Sequence, residues 1–126
     1  MSTAFNLPPI SMIMLGVRDL EQSRMFYEDR LGLKVSQKIP GYVFLETGAV
    51  TLILSESLAK NVSPVAGATE VIFSVNDIRV AHAALMTKGV AFTQEPHNVA
   101  GSMWAANFRD PDGHLLTIFG PERGAS

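Results

Sequence analysis

An internal repeat constrains this sequence more than any other feature. An apolar strand pattern over Met12–Val17 leads into Asp19 and a helical stripe of apolar residues, and the same order begins again at Glu70–Val75 with Asp77. The two aspartates are separated by 58 residues, and each is placed to cap the helix that follows it. Such a repeat predicts two copies of one supersecondary unit, neither of which can bury its apolar face alone.

Each half of the sequence continues in the same way after its aspartate. Gly32 and Gly89 end the two predicted helices, because glycine readily terminates a helix. Three strand patterns then follow in each half: Val35 onward, Tyr42–Leu45 and Val50–Leu54 in the first, and Val90–Thr93, Ser102–Phe108 and His114–Phe119 in the second. We therefore predict an α+β fold in which two βαβββ modules, as paired repeats, form a curved mixed sheet around a central cavity, with the helices outside.

A chain of 126 residues is long enough for one core but too short for two independent ones. We predict a single domain over residues 9–121, with modules at about 10–58 and 68–121 joined by a linker over Asn61–Gly67. Met1–Pro9 is expected to be a loose leader, and Glu122–Ser126 a polar tail.

Charge and composition exclude several classes of function. The net charge is −2 and there is no run of lysine or arginine, so the chain lacks the basic surface that nucleic acids or anionic membranes require. It has no cysteine, which excludes disulfides and thiolate catalysis and fits a reducing compartment. The apolar run Ile10–Val17 is too short to span a membrane. We expect a cytoplasmic protein with no nucleic-acid partner and no membrane partner.

A tight turn joins the last two predicted strands. In Asp110–Gly113, proline at the second position presets the backbone for a turn, and the glycine accepts the positive φ that ends it. Together with Phe26-Tyr27, Leu31-Gly32 and the paired strands, this turn resembles the vicinal oxygen chelate superfamily, which includes lactoylglutathione lyase, extradiol dioxygenases, and the fosfomycin and bleomycin resistance proteins. The resemblance covers nearly the whole chain. It implies the paired-module fold and a homodimer in which each cavity is shared between halves of two chains.

The resemblance also implies where metal ligands would lie. In metal-using members, one ligand comes from the first strand and one from the last strand of each module, which corresponds here to Met12, Leu52, Glu70 and Thr117. Only Glu70 is a strong ligand for a divalent metal ion, whereas a catalytic site normally takes about three His, Asp or Glu ligands. We therefore predict no metal and no cofactor at this position.

Glu70 is the most informative candidate, because alternation along its strand places it with Ile72 on the face opposite the predicted core. One interpretation is a glutamate that stays in solvent or pairs with an arginine. The other is a carboxylate in an apolar cavity, where burial raises the pKa of the group and suits it to anchor a ligand or to act as a general base. We expect an anchor rather than a base, since no partner acid is evident in the sequence.

The remaining candidates on the strands are mostly apolar. Six side chains are predicted to face inward, where methionine suits an adaptable pocket: Met12, Met14, Leu52, Leu54, Leu115 and Thr117. The alternative is that these side chains only fill the core between the two modules.

The strand before the turn offers contacts of two kinds. Alternation from Phe108, taken as facing the helices, favours Met103 and Asn107 on the cavity side. Trp104 then belongs to the core, unless a bulge turns it towards an aromatic ligand for stacking.

The three histidines, His82, His97 and His114, lack the spacing partners of a metal site. We expect them to be exposed or locally hydrogen-bonded, with His97 in a loop after Pro96.

We therefore predict a metal-independent protein that binds a small apolar or aromatic molecule and sequesters it, as the bleomycin resistance proteins do. The predicted contacts are Met12, Met14, Leu52, Glu70, Ile72, Met103, Trp104, Asn107 and Thr117. The alternative is a glyoxalase-like isomerase or lyase, with Glu70 as general base or as one ligand of a non-standard metal site that uses residues such as Glu46 or His97. The sequence leaves open whether the protein is an enzyme.

Overall fold

The computed structural model describes residues 10–61, 67 and 69–123. The predicted leader Met1–Pro9 lies outside the described residues, as do residues 62–66 of the predicted linker, residue 68, and residues 124–126 of the predicted tail. No helix in the described part is long and apolar enough to cross a membrane.

Within the described residues, each module has four strands with helices between or after them. The first module contains β1 (Met12–Gly16), α1 (Leu20–Arg24), β2 (Lys34–Ile39), β3 (Tyr42–Glu46), β4 (Thr51–Ser55) and α2 (Glu56–Asn61), and α1 continues as a π-helical segment over Met25–Arg30. The second contains β5 (Glu70–Ser74), α3 (Ile78–Thr87), β6 (Phe92–Ala100), β7 (Met103–Arg109) and β8 (Leu115–Pro121).

Each module forms its own open, curved, four-stranded sheet. The strand orders are β1-β4-β3-β2 and β5-β8-β7-β6. In both sheets the first strand is parallel to the last strand of its module, and the other neighbours are antiparallel. The predicted α+β fold of two βαβββ modules is confirmed.

Two local features differ from the sequence prediction. The short helix α2 follows β4 directly, and Ser55 begins it by accepting a hydrogen bond from the backbone N–H of Leu58 at 3.0 Å. Strand β6 continues past Pro96, which places His97 in a strand and not in a loop. Proline fits there because β6 is an edge strand and the pairing register shifts around it.

The aspartate caps are as predicted. The carboxylate of Asp19 accepts a hydrogen bond from the backbone N–H of Gln22 at 3.0 Å, and that of Asp77 accepts one from Arg79 at 2.9 Å. Each bond satisfies a donor that the first turn of a helix leaves free, which is why both helices begin where the sequence indicates.

The two faces of each sheet have different surroundings. Helices cover one face, and we call the other the open face. Alternate strand residues such as Leu15 and Leu116 point to the helix-covered side, where one apolar core runs through both modules. The rings of Phe26 and Phe108, one from each module, lie 6.5 Å apart between their centroids, so the helix-covered side also joins the modules.

Polar contacts join the turn after β7 to the first module, and we call them the clasp. Asp112 accepts hydrogen bonds from the backbone N–H and from Nε of Arg18, both at 2.9 Å, and from the hydroxyl of Ser23 at 3.2 Å. The Asp112 side chain is 4% exposed, whereas that of Arg18 is 67% exposed. The backbone and Ser23 contacts therefore stabilise the clasp more than the partly solvated ion pair does.

Asp110 and His114 complete the clasp. Asp110 accepts a hydrogen bond from the hydroxyl of Tyr27 at 2.8 Å, and its other oxygen accepts from the backbone N–H groups of Asp112 and His114 at 3.0 and 2.8 Å. Nε2 of His114 lies 2.7 Å from the carbonyl oxygen of Gly16 at the end of β1. The turn is therefore held both by its own backbone and by the first module.

Replacing Asp112 with alanine tests the clasp. We expect the free energy of unfolding to fall by about 2 kcal/mol, because Ser23 and the Arg18 backbone lose their acceptor. The control is Arg18→Gln, which removes only the exposed partner and should cost less than about 1 kcal/mol. Urea unfolding measures both, and equal losses for the two variants would contradict the weight given to the buried contacts.

Asp110 makes stability depend on pH. Burial raises the pKa of this carboxyl group, although its hydrogen bonds partly oppose the change. The folded protein therefore keeps the proton to a higher pH than the unfolded chain, and the contribution of Asp110 to stability is lost as pH rises above about 3.9. We expect Asp110→Asn to gain stability relative to the native protein as pH rises from about 3.5 to 7. In urea unfolding, a difference that stays constant or shrinks would contradict the raised pKa.

Candidate functional site

Three polar side chains form a hydrogen-bonded chain across the open face of the second module, and we call them the polar triad. Asn107 on β7 lies opposite Thr117 on β8. Its amide nitrogen Nδ2 donates to Oγ1 of Thr117 at 2.7 Å, and this hydroxyl lies 2.5 Å from Oε2 of Glu70 on β5. The triad therefore connects three neighbouring strands.

The direction of these hydrogen bonds makes Glu70 the acceptor. An amide nitrogen can only donate, so it fills an acceptor position of the Thr117 hydroxyl, whose one proton is then directed to Glu70. Thr117 is 2% exposed, whereas Glu70 is exposed. The burial that the cavity interpretation required of Glu70 is therefore not found in a single copy of the chain. The triad holds an accessible carboxylate in a defined orientation.

Exposed apolar side chains share the open face with the triad. Met12 and Met14 on β1 are 57% and 43% exposed, and Ile72 on β5 is 54% exposed. Met103 is partly buried on the same face of β7 as Asn107. Apolar surface of this kind is typical of a region that a ligand or partner covers.

Leu52 and Leu54 lie on the helix-covered side of their sheet, so their predicted position on the open face is wrong. Leu52 pairs in register with Ile13 and is 3% exposed, although it also lines a pocket together with Glu70 and Ile72. The next residue, Ile53, pairs with Met14 and points to the open face. In the second module Thr117 pairs with Ile72 in the same way, so Ile53 is its counterpart.

Trp104 also lies on the helix-covered side, which contradicts a stacking role on the open face. It is partly buried, and the guanidinium carbon of Arg79 on α3 lies 5.1 Å from the centroid of its ring. A cation held over the ring stabilises the packing of α3 on the sheet. This position agrees with the prediction from alternation along β7, which placed Trp104 and Asn107 on opposite faces of the strand.

Two pockets lie along the seam between β1 and β5, each of which is an edge strand of its sheet. The first, about 430 Å³, is lined by Gly16 at the end of β1 and Glu70 at the start of β5. The second, about 460 Å³, is lined by Ile13 near the start of β1 and Ser74 at the end of β5. The two strands therefore run in opposite directions along the seam. Glu70 lines both pockets and also belongs to the triad.

The histidines occupy three different environments. His114 is 4% exposed, contacts a residue 98 positions away in sequence and lines the first seam pocket, so the expectation of an exposed or local role is wrong for it. Nε2 of His82 lies 2.7 Å from a carboxylate oxygen of Glu95, and Nδ1 of His97 lies 2.9 Å from the carbonyl oxygen of the same residue.

The residues at the implied metal positions do not fit a divalent cation. With Ile53 as the corrected fourth position, the set is Met12, Ile53, Glu70 and Thr117. It offers one carboxylate, and its one hydroxyl already donates to that carboxylate. Across residues 10–61, 67 and 69–123, three or more His, Asp or Glu side chains nowhere come together as a possible metal site.

Comparisons with known proteins agree with this architecture. The sequence model of the Glyoxalase/Bleomycin resistance protein/Dioxygenase superfamily matches residues 10–118. A Bacillus subtilis (strain 168) relative, uncharacterized protein YraH, is 31% identical over 120 residues, which cover 85% of this chain and 94% of the relative.

Two solved structures have the same fold but different described roles. Lactoylglutathione lyase from Agrobacterium tumefaciens is 26% identical with a TM-score of 0.72, over 90% of this chain and 96% of that one. TnmS3, an antibiotic binding protein from Streptomyces sp. CB03234, is 20% identical with a TM-score of 0.78, over 94% of this chain and all (100%) of that one. At that identity, the second likeness concerns the fold alone.

Replacing Thr117 with valine removes the central hydroxyl of the triad and keeps the shape of the side chain. We expect a loss of about 1 kcal/mol in the free energy of unfolding, because Asn107 loses its acceptor and Glu70 its donor. The matched control is Thr93→Val, which removes an exposed hydroxyl that donates to the carbonyl oxygen of Asn107. If thermal unfolding shows Thr117→Val to be no more costly than the control, the triad does not stabilise the fold.

Proposed function

The chain belongs to the Glyoxalase/Bleomycin resistance protein/Dioxygenase superfamily, and from this premise we propose that it binds a small, largely apolar or aromatic molecule on its open face without a metal ion. The observation that carries the proposal is the polar triad, which holds one accessible carboxylate, Glu70, among exposed methionine and isoleucine side chains. Ligand sites commonly combine an apolar lining with a few placed polar groups.

The chemistry of Glu70 indicates what the ligand presents to it. One oxygen of the Glu70 carboxylate accepts a hydrogen bond from the Thr117 hydroxyl. The side chain remains exposed, so it can accept further hydrogen bonds from a bound molecule. A ligand with an N–H donor or a positive charge is favoured, because hydrogen bonds to a charged acceptor are stronger than neutral ones. Met12, Met14 and Ile72 would cover the apolar body of the ligand.

The methionines suit a ligand of irregular or flat shape. Methionine has an unbranched, polarisable side chain that adapts to different surfaces. Asn107 and Thr117 would set the position of Glu70, and Met103 would extend the apolar contact along β7. These roles are part of the proposal.

The donor set at the implied metal positions supports binding without a metal ion, because one carboxylate, a thioether, an alkyl group and an engaged hydroxyl make a poor site for a divalent cation. The described role of TnmS3 as an antibiotic binding protein is compatible with sequestration of a ligand.

A second candidate function is an isomerase or lyase with Glu70 as general base. The likeness to lactoylglutathione lyase and the fixed orientation of the Glu70 carboxylate favour it. Binding is the better supported of the two, because Glu70 is exposed and not desolvated as a carboxyl base near neutral pH commonly is.

We also propose that a second copy of the chain covers the open face and completes the ligand site as a homodimer. Exposed Met12, Met14 and Ile72 support this, since apolar surface of this kind is commonly buried on association. A cytoplasmic location stays a prediction from the sequence.

Binding of aromatic cations tests the role of Glu70. We expect benzylammonium, used as probe, to bind Glu70→Gln about tenfold or more weakly than the native protein, because a charge-assisted hydrogen bond is lost. The control is Glu21→Gln on α1, which changes the net charge equally at a site far from the open face in the fold. Calorimetric titration measures the affinities. Equal affinity for Glu70→Gln and the native protein, or no binding to either, would contradict the proposal.

Metal content tests independence from metal ions. We expect protein purified without chelator to contain metal well below one ion per chain, since the site lacks ligands. Added Zn²⁺, Ni²⁺, Mn²⁺ or Fe²⁺ should leave the melting temperature unchanged, because an ion that does not bind the folded state cannot stabilise it. One ion per chain in elemental analysis, or a large rise in melting temperature, would contradict metal independence and support a metal-dependent enzyme instead.

A further inference from the structure

Strands β1 and β5 each have a free edge, and the two free edges face each other across the seam. Strand β1 pairs with β4 on its other side, and β5 pairs with β8. In the described part of the chain, no backbone hydrogen bond joins β1 to β5. A strand edge presents a row of unpaired N–H and C=O groups, which is a template for a further strand. The seam has such a row on both sides.

The pairing of β1 with β4 shows which backbone groups of β1 point into the seam. The N–H of Val17 donates to β4 at 3.0 Å. Backbone groups of successive residues point to opposite edges of a strand, so those of Met12, Met14 and Gly16 point away from β4. His114 of the second module contacts the carbonyl oxygen of Gly16 at 2.7 Å, which agrees with this direction. This contact closes the Gly16 end of the β1 edge.

The same alternation applies to β5. The N–H of Val75 donates to β8 at 2.9 Å, so the backbone groups of Glu70, Ile72 and Ser74 point into the seam. Because β1 and β5 run in opposite directions, Met14 and Ile72 lie near the middle of the two edges. Among the described residues, none donates to or accepts from the seam-facing backbone groups of Met14 or Ile72.

The seam has the width of one missing strand. Hydrogen-bonded strands lie about 4.8 Å apart, so a gap that holds one further strand spans about 10 Å. With few exceptions, the Cα atoms of β1 and β5 are more than 8 Å apart. All five residues of β5 line the second seam pocket, although their side chains alternate between the two faces. The wall of this pocket is therefore the edge of the strand.

The surroundings of the seam indicate which sequence fits it. On the helix-covered side, Ile13 is 40% exposed and Phe73 is partly buried, and both line the second pocket. On the open-face side lies the exposed carboxylate of Glu70, and the described residues that line the two pockets include no lysine or arginine. Apolar side chains are favoured towards the first side and a basic one towards the second.

We propose that the seam binds an extended peptide segment of a partner protein, which adds as a strand between β1 and β5 and joins the two sheets. Its apolar side chains face Ile13 and Phe73, and they alternate with side chains on the open-face side, one of which is basic and lies near Glu70. Such a strand forms hydrogen bonds along both of its edges. It therefore comes from a terminus or an exposed loop and not from the edge of a folded sheet.

This inference goes beyond the proposed function, because it depends on backbone groups that a small molecule on the open face does not need. Three peptides test it: acetyl-Thr-Val-Lys-Val-Thr-amide, the same peptide with a methyl group on the backbone nitrogen of its second valine, and the same peptide with glutamate in place of lysine. Calorimetric titration of the full chain measures their affinities.

We expect the first peptide to bind about tenfold or more tightly than each of the other two. The N-methylated peptide keeps every side chain but loses one backbone donor, and the glutamate peptide places a negative charge near Glu70. Amide hydrogen exchange locates the bound peptide. The N–H groups of Met14 and Ile72 should exchange rapidly in the free protein and slowly in the complex, whereas those of the outer edge strands β2 and β6 should not change.

The outcomes separate this inference from the proposed function. If the N-methylated peptide binds as tightly as the first, the peptide is held by its side chains, and the seam proposal is wrong while the open-face site remains. Slow exchange at Met14 and Ile72 in the free protein would show that the seam is already closed, by the chain itself or by a second copy, and would overturn the proposal. Protection on β2 or β6 instead, or no binding at millimolar peptide, would also overturn it. Binding of benzylammonium tests the open-face site independently of all three peptides.

Discussion

Two buried carboxylates in the turn between β7 and β8 accept hydrogen bonds from the other module. Asp112 takes those of Arg18 and Ser23, and Asp110 takes that of Tyr27. Next to them, His114 is hydrogen-bonded to the last residue of β1, and the residue after His114 pairs with Glu70. The clasp therefore sets β1 beside β5 and places Glu70 where the seam meets the open face. Within residues 10–61, 67 and 69–123, the hydrogen bonds between the two modules are those of the clasp, and the other contact between the modules is apolar packing, which is not directional.

The repeat is symmetric in its backbone but not in its chemistry. Met12 and Ile53 occupy in the first module the positions that Glu70 and Thr117 occupy in the second. One half of the open face is therefore apolar and the other carries a fixed carboxylate. A surface divided in this way fits a molecule with an apolar body and one donating end, because each part then meets groups of its own kind. The same division leaves too few ligands for a divalent metal ion.

The sequence predicted the fold well, because repeated caps and strand patterns are local signals. Asp19 and Asp77 begin their helices as expected, and alternation from Phe108 separated Asn107 from Trp104 correctly. Leu52 differs from its predicted position because the turns before the last strands of the two modules have different lengths. The turn after β3 has four residues between paired positions, whereas the turn after β7 has five. His114 was missed because its partner lies 98 residues earlier, and no local pattern reports such a contact.

The most direct measurement is a methyl spectrum of methionine-labelled protein titrated with benzylammonium. Met12 and Met14 report on the open face, whereas Met25 and Met86 are equally exposed, at 49% and 51%, on the helical side. If ligand binds the open face through Glu70, the Met12 and Met14 resonances shift and saturate, the other two stay unchanged, and the shifts disappear in Glu70→Gln. Shifts of similar size at all four methionines, or none at Met12 and Met14, would contradict a binding site on this face.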